Sequence, residues 1–279
     1  MKGDDFLGIR TDLAVERLAQ AGTPLPPGAE QTEETLRGVR LTTVTVAGEA
    51  AEALGKPPGR YLTVECAPFR RAPADFEAEV LAVAEAVSRL LPEGPVLVAG
   101  LGNAAITPDA LGPEVVNLML ATRHIGPEFA ASLGFSSLRP VSVLAPGVLG
   151  QTGMETCEIL SALVKETSPA AVVVVDALAA GDPARLGVTV QVCDSGISPG
   201  SGVANRRKEL SPRTLGVPVV AVGVPTVVDY PRETSPEPMM VTPREVDTVI
   251  ENAAKTVAFA LNKALQPELA LEDILALVQ

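Results

Sequence analysis

Runs of apolar residues separated by turn residues predict strands along most of this chain. Two of these runs, at 95–99 and 171–175, are continuous and rich in valine, which is typical of parallel strands buried on both faces. Shorter or alternating apolar patterns predict further strands at 39–46, 60–65, 140–144, 189–192 and 217–222. The chain therefore combines fully buried strands with strands that bury one face.

Apolar residues at helical spacing predict helices between several of these strands. Between 75 and 91 they recur every three or four positions, which indicates an amphipathic helix. A second helix is expected to begin at Thr107, with Pro108 in its first position, and to run toward Ala121. Further helices are predicted at 155–165, 242–265 and 269–277. This alternation predicts an α/β fold with a doubly wound, mostly parallel sheet and helices on both faces.

The domain organisation follows from length and composition. A chain of 279 residues can bury one large core, so we expect a single domain over 1–279. The segment from Tyr230 to Pro238 is rich in proline and charge, and 230–240 is therefore predicted to be a linker before C-terminal helices in 241–279.

Charge and hydropathy exclude several classes of function. The formal net charge is −12 and the pI is about 4.7, which argues against direct binding of nucleic acid. No apolar run is long enough to span a bilayer, and Met1 to Asp5 lacks the features of a signal peptide, so we expect no membrane association and an intracellular protein. The three cysteines lack paired spacing, which predicts buried thiols and neither a disulfide framework nor a zinc cluster.

Two aspartates follow the two valine-rich runs. Asp109 comes after the turn Gly100–Asn103 and falls in the first turn of the predicted helix, where the helix dipole favours its ionised form. Asp176 follows the second run directly. Either residue alone is more simply explained as a cap or a strand end. Both are expected at the carboxyl edge of one sheet, however, and a pair of carboxyls there can act as base and acid to activate water against a peptide bond.

Other motifs carry weaker signals. Gly100–Asn103 is half of a dinucleotide fingerprint without its third glycine, so no nucleotide cofactor is expected. The loop at 194–205 is rich in glycine and serine but lacks a P-loop lysine, which leaves substrate binding or a simple turn, with Asp194 as a third candidate carboxylate. The single histidine, His124, is about a helix length from Asp109, which argues against a catalytic triad. Arg206 to Lys208 is most simply a solvated basic patch, although it could receive an acidic peptide.

Several short motifs follow one another in a fixed order along nearly the whole chain. They occupy 9–16, 59–65, 100–103, 107–113, 122–124, 145–148, 175–180, 199–202 and 223–229. Together they closely resemble the motifs of the spore germination proteases. The resemblance implies a fold similar to that of hydrogenase maturation proteases. It also implies an endopeptidase that begins the degradation of small acid-soluble spore proteins in the cytoplasm of the forespore and spore core.

The resemblance also implies particular site residues. The two catalytic aspartates of the family fall on Asp109 and Asp176 of this chain. Residues expected to support the site or to bind substrate are Asn103, Asp194, Gly200 and Ser201. The family is made as a homotetrameric zymogen that removes its own N-terminal segment. Asp5 followed by Phe6 is an acidic residue before a large apolar one, as in the sites that the family cleaves, so 1–9 is expected to be a short propeptide.

The chain departs from the family pattern at three places. Gly181 stands where family members usually carry arginine, the segment at 230–240 is much shorter than its counterpart, and the stretch before Arg10 leaves little room for a propeptide. Two alternatives therefore stay open: a catalytically silent or regulatory relative on the same scaffold, and a metal-dependent protease of the maturation type. Metal dependence is left unresolved, and no other cofactor is expected.

Overall fold

The computed structural model describes residues 10–132, 135, 138–199, 207–232 and 235–278. Within them, one mixed sheet has helices packed on both faces, which confirms the predicted α/β class. The strands are β1 (Ala29–Leu36), β2 (Val39–Val46), β3 (Gly59–Glu65), β4 (Val96–Gly100), β5 (Val141–Leu144), β6 (Ala171–Ala180), β7 (Thr189–Cys193), β8 (Val219–Arg232) and β9 (Ser235–Val241). The helices are α1 (Ala14–Ala21), α2 (Ala50–Leu54), α3 (Phe76–Ser88), α4 (Leu111–Asn117), α5 (Pro127–Ser132), α6 (Leu149–Thr152), α7 (Thr156–Thr167), α8 (Pro212–Leu215), α9 (Val246–Leu265) and α10 (Leu271–Val278).

The strand order in the sheet is β1-β2-β3-β7-β8-β6-β4-β5, with β9 paired to β8. Strands β8, β6, β4 and β5 are parallel to one another, and the remaining pairs are antiparallel, more of them than the sequence predicts. For the pairs β1–β2 and β8–β9 the reason is a short connection, because parallel neighbours need a crossover of a dozen or more residues. Strands β1 and β2 are joined by Arg37 and Gly38, whose φ angles of 52° and 84° suit a two-residue hairpin turn.

Side chains from both faces of the sheet form the core. Along β6, Val173 and Val175 pack toward α3, α4, α9 and α10, whereas Val172 and Val174 pack toward α1, α2, α7 and α8. This two-sided burial is the reason for the continuous valine run. No helix in the described part of the chain is long and apolar enough to cross a membrane.

Three elements differ from the sequence predictions. The linker predicted at 230–240 is wrong, because Ser235–Val241 forms β9 at the edge of the sheet, where strand prolines are tolerated. The strand predicted to end before Asp176 continues to Ala180, because β8 pairs with it over that length. The helix predicted from Thr107 is split into a short 3-10 turn at Thr107–Asp109 and α4.

Candidate active site

The loop after β4 is folded tightly back against its own strand. Gly100 and Gly112 touch, since a Cβ at Gly100 would lie 2.1 Å from the carbonyl oxygen of Gly112. Gly102 has a φ of +111°, and its backbone lies against that of Asp109. The backbone N–H of Asn103 donates to Oδ2 of Asp109 at 2.8 Å and also faces its carbonyl oxygen at 3.1 Å. These contacts fix the carboxylate of Asp109 over the end of β4.

A second contact holds the Asp109 turn to the sheet. The hydroxyl of Thr226 on β8 donates to the carbonyl oxygen of Pro108 at 2.8 Å. Asp109 itself lies in the 3-10 turn before α4, so the predicted place in the first turn of a longer helix is wrong. Burial raises the pKa of Asp109, and the hydrogen bond from Asn103 opposes that rise. The raised pKa is opposite in direction to the expectation that the ionised form of Asp109 is favoured.

Asp176 lies on β6 one residue beyond the last pairing with β4. Val175 pairs with Gly100, and Asp176 pairs with Gly223 of β8 on the other side. The residue is only 7% exposed, and the N–H of Ala177 donates to its Oδ1 at 3.0 Å. Burial raises the pKa of Asp176 well above its usual range, and the carboxylates of Asp109 and Asp12 raise it further. Burial and the two neighbouring charges thus act together to favour the protonated form of Asp176.

Asp12 is a third carboxylate at this place, and the sequence reasoning did not single it out. Its backbone N–H donates to the carbonyl oxygen of Ala179 at 2.8 Å, and the N–H of Ala179 donates to its Oδ2 at 2.8 Å. These bonds cover the edge of β6 that β4 leaves free. Asp12 belongs to the motif at 9–16, but only the fold brings that motif beside Asp176.

The three aspartates line a cavity of about 360 Å³. Its other walls are mainly apolar and include Ile106, Leu178, Ile197, Val227, Met240 and Val241. Ile106 and Met240 are 52% and 49% exposed, so apolar side chains reach the solvent near the carboxylates. The cavity can therefore accommodate an apolar side chain beside an acid–base pair.

The other predicted site residues have different places. Asn103 orients Asp109 through its backbone, while its side chain accepts hydrogen bonds from Ala105 N–H and from Gln151. Asp194 does not line the cavity, because its carboxylate accepts from the N–H and the Nε of Arg60 at 2.7 and 3.0 Å and so ties the end of β7 to β3. The predicted residues Asp5, Phe6, Gly200 and Ser201 lie outside the described residues.

A metal ion at this site would need several ligating side chains around one point. Among the described residues, no three His, Cys, Asp or Glu side chains are arranged to hold a metal ion. Asp12, Asp109 and Asp176 each direct one carboxylate oxygen to a backbone N–H instead. We therefore derive no catalytic step through a metal ion.

Comparison with known proteins gives consistent matches. A family model described as "Germination protease" matches residues 18–237. The germination protease of Caldanaerobacter subterraneus subsp. tengcongensis is 38% identical over 96% of this chain and 97% of that protein. Those of Geobacillus sp. and Bacillus subtilis are 44% and 45% identical over 79% of this chain, which spans 64% and 63% of their lengths. Among solved structures, the [NiFe] hydrogenase maturation protease HycI from Thermococcus kodakarensis is 18% identical, with a TM-score of 0.38 over 63% of this chain and 98% of its own.

Proposed function

The chain belongs to the germination protease family, and on that premise we propose that it is an endopeptidase whose Asp109 and Asp176 form the catalytic pair. One observation carries the proposal. The two carboxyls line one cavity, and the pKa of each is raised, with Asp109 contributing to the rise at Asp176. Two carboxyl groups that line one cavity and have raised pKa values are suited to general acid–base catalysis.

The surroundings of the two groups assign their roles. Asp109 is less buried and accepts the N–H of Asn103, so it is the better base. Asp176 is buried, and its pKa is raised further by two other carboxylates, so it is the better acid. Water loses a proton to Asp109 and attacks the peptide carbon, while Asp176 gives its proton to the carbonyl oxygen. The tetrahedral intermediate then returns that proton to Asp176 as the C–N bond breaks, and Asp109 protonates the leaving amine.

The natural substrate and processing are further parts of the proposal. Small acid-soluble spore proteins, degraded in the cytoplasm of the forespore and spore core during germination, are the substrates that the sequence resemblance implies. A homotetrameric zymogen that cleaves itself between Asp5 and Phe6 follows from the same resemblance. N-terminal sequencing of protein incubated under activating conditions tests the cleavage, since a chain that still begins at Met1 would argue against it.

The decisive experiment is cleavage of a purified small acid-soluble spore protein, with the fragments identified by mass spectrometry. Asp109→Asn and Asp176→Asn are each expected to lower kcat by about 100-fold or more, because each removes one proton-transfer group. Asp247→Asn, which changes an exposed aspartate on α9, is the matched control and is expected to keep full activity.

Three other outcomes would change the proposal. Full cleavage by both active-site variants would contradict the pair. Loss of activity with a chelator, restored by a divalent ion, would favour the metal-dependent alternative. Absence of discrete cleavage under every activating condition would favour a catalytically silent relative.

A further inference from the structure

Gln191 is a buried polar residue close to the aspartate pair, and the proposed mechanism gives it no role. It lies on β7 and is 6% exposed. Gln191 and Asp176 pair with the same residue, Gly223 of β8, from its two sides. Paired residues direct their side chains to the same face of a sheet, so Gln191 and Asp176 share a face. Because the residue between them has no side chain, a backbone segment can pass over β8 there.

The amide of Gln191 binds the segment that carries Asp12. Its Oε1 accepts the backbone N–H of Ala14 at 2.8 Å, and its Nε2 donates to the carbonyl oxygen of Asp12 at 3.0 Å. A side-chain amide can both accept and donate, and here both functions serve backbone groups two residues apart. Gln191 therefore fixes this segment relative to β7.

The same segment is fixed to β6 on its other side. Asp12 bonds to Ala179 through its backbone N–H and through its carboxylate. Leu13 is fully buried and packs against apolar side chains of β6. The hydroxyl oxygen of Thr11 accepts the N–H of Leu13 at 3.0 Å and so shapes the turn. Residues 11–14 thus bridge β6 and β7 across the face of β8.

Charged groups surround this segment, whereas Gln191 is neutral. The ionisable side chains around Asp12 and Asp176 are Glu16 and Arg17 of α1, Lys56 after α2, Asp109, and Cys193 of β7. Lys56 also donates from Nζ to the carbonyl oxygen of Asp12, at 2.6 Å. Replacing Lys56 would therefore change both the position of Asp12 and the local charge. Replacing Gln191 by a neutral residue changes the position of Asp12 alone.

We propose that Gln191 is a positioning residue of the aspartate pair, which holds the carboxylate of Asp12 beside Asp176 by binding the backbone of Asp12. The inference rests on the proposed function, in which Asp176 is the acid. The amide of Gln191 bonds to the backbone of the segment and acts on Asp176 through Asp12. Without these two bonds the segment loses its attachment to β7, so Asp12 spends less time beside Asp176. The pKa of Asp176, which the charge of Asp12 raises, should then fall.

The test is a 13C NMR titration of the carboxyl group of Asp176 in the intact protein, which does not depend on cleavage. Gln191→Met removes both hydrogen bonds with little change in length and none in charge. The titration midpoint of Asp176 should fall by about half a pH unit or more. In the Asp12→Asn background the same substitution should cause no further fall, because the charge that it displaces is already absent. Thr11→Val removes the acceptor of the Leu13 N–H and is a second neutral variant with the same expected direction.

Gln266→Met is the matched control, because Gln266 is also buried and also uses its amide to bind backbone groups. Its Oε1 accepts the N–H of Arg139 at 3.0 Å, and its Nε2 donates to the carbonyl oxygen of Arg139 at 2.9 Å. These bonds join the end of α9 to the residue that precedes Pro140 and β5. The control should therefore lose stability and leave the titration of Asp176 unchanged.

Thermal unfolding of each variant checks that it is folded. Gln191→Met decides the test, and Thr11→Val takes its place if Gln191→Met is not folded. An unchanged or higher midpoint in the deciding variant would overturn the proposal. So would an equal fall in the Asp12→Asn background, or in Gln266→Met. If the midpoint falls as expected but no protein is ever cleaved, the positioning role stands and the protease function fails.

Discussion

Gly102 lies directly against the backbone of Asp109. A Cβ at residue 102 would come within 1.9 Å of the carbonyl oxygen of Asp109 and 3.2 Å of its Oδ1. The φ of +111° at Gly102 is also one that side-chain-bearing residues rarely adopt. The position of Asp109, the proposed base, therefore depends on the absence of a side chain at Gly102. Gly102 contacts Asp109 only through its backbone.

Replacing Gly102 by alanine is expected to displace Asp109 and to lower kcat by about tenfold or more, because small errors in the position of a catalytic group are costly. The matched control is Gly38→Ala in the β1–β2 turn. Gly38 also has a positive φ, of +84°, but nothing lies within 4 Å of its missing Cβ. That control should lose about 1 kcal/mol of stability from backbone strain and keep its activity. Equal activity of the two variants would show that the contact with Asp109 is unimportant.

Asp12→Asn tests whether the carboxylate of Asp12 raises the pKa of Asp176. The amide oxygen can still accept the N–H of Ala179, so the local geometry should be kept. The negative charge that helps to raise the pKa of Asp176 is lost, and that pKa should fall. The alkaline limb of the pH dependence of kcat/KM should therefore move to lower pH, with the acidic limb affected less. An alkaline limb that stays at the wild-type pH would exclude this role for Asp12. Asp247→Asn is the control and should leave the pH profile unchanged.

Asp176→Asn is expected to stabilise the protein while it abolishes activity. The folded state raises the pKa of Asp176, so its proton stabilises the fold at low pH. That stabilisation is lost as the pH rises from the ordinary aspartate pKa of 3.8 through the raised pKa of Asp176 in the folded state. At neutral pH the free energy of unfolding of the variant should be higher by about 1 kcal/mol or more. Each kcal/mol corresponds to a rise of about 2–4 °C in Tm. The gain should shrink in acid, and a neutral-pH Tm at or below that of the wild type would contradict this expectation.

Much of the fold is predictable because the two valine-rich strands bury both faces. Val172 to Val175 contact helices on opposite sides of the sheet, and this environment leaves a clear apolar signature. Strand β1 gives no such signal, since six of its eight residues are exposed and its pairing with β2 is its main contact. Strand β9 contains prolines and lies at an edge, so its local sequence resembles a linker. Both strands form through backbone hydrogen bonds to a neighbouring strand, and the pattern of apolar residues gives no sign of such pairing.

The candidate site is only partly predictable for a related reason. Asp109 follows β4 and Asp176 lies at the end of the β4 pairing on β6, the neighbouring strand, so the strand rule brings them together. Asp12 enters from the start of the chain and pairs with the edge of β6, a long-range contact with no local signature. Asp194 has the right residue type and follows a strand, but β7 is antiparallel to β8, so its end lies elsewhere and its carboxylate binds Arg60.

Catalysis by the aspartate pair requires that Asp176 hold its proton at a pH where Asp109 is ionised. The direct measurement is a 13C NMR titration of the aspartate carboxyl groups in the intact protein, with the two signals assigned through Asp109→Asn and Asp176→Asn. We predict that the Asp176 signal titrates above the Asp109 signal. A titration of Asp176 in the ordinary aspartate range, or below that of Asp109, would contradict the assignment of acid and base.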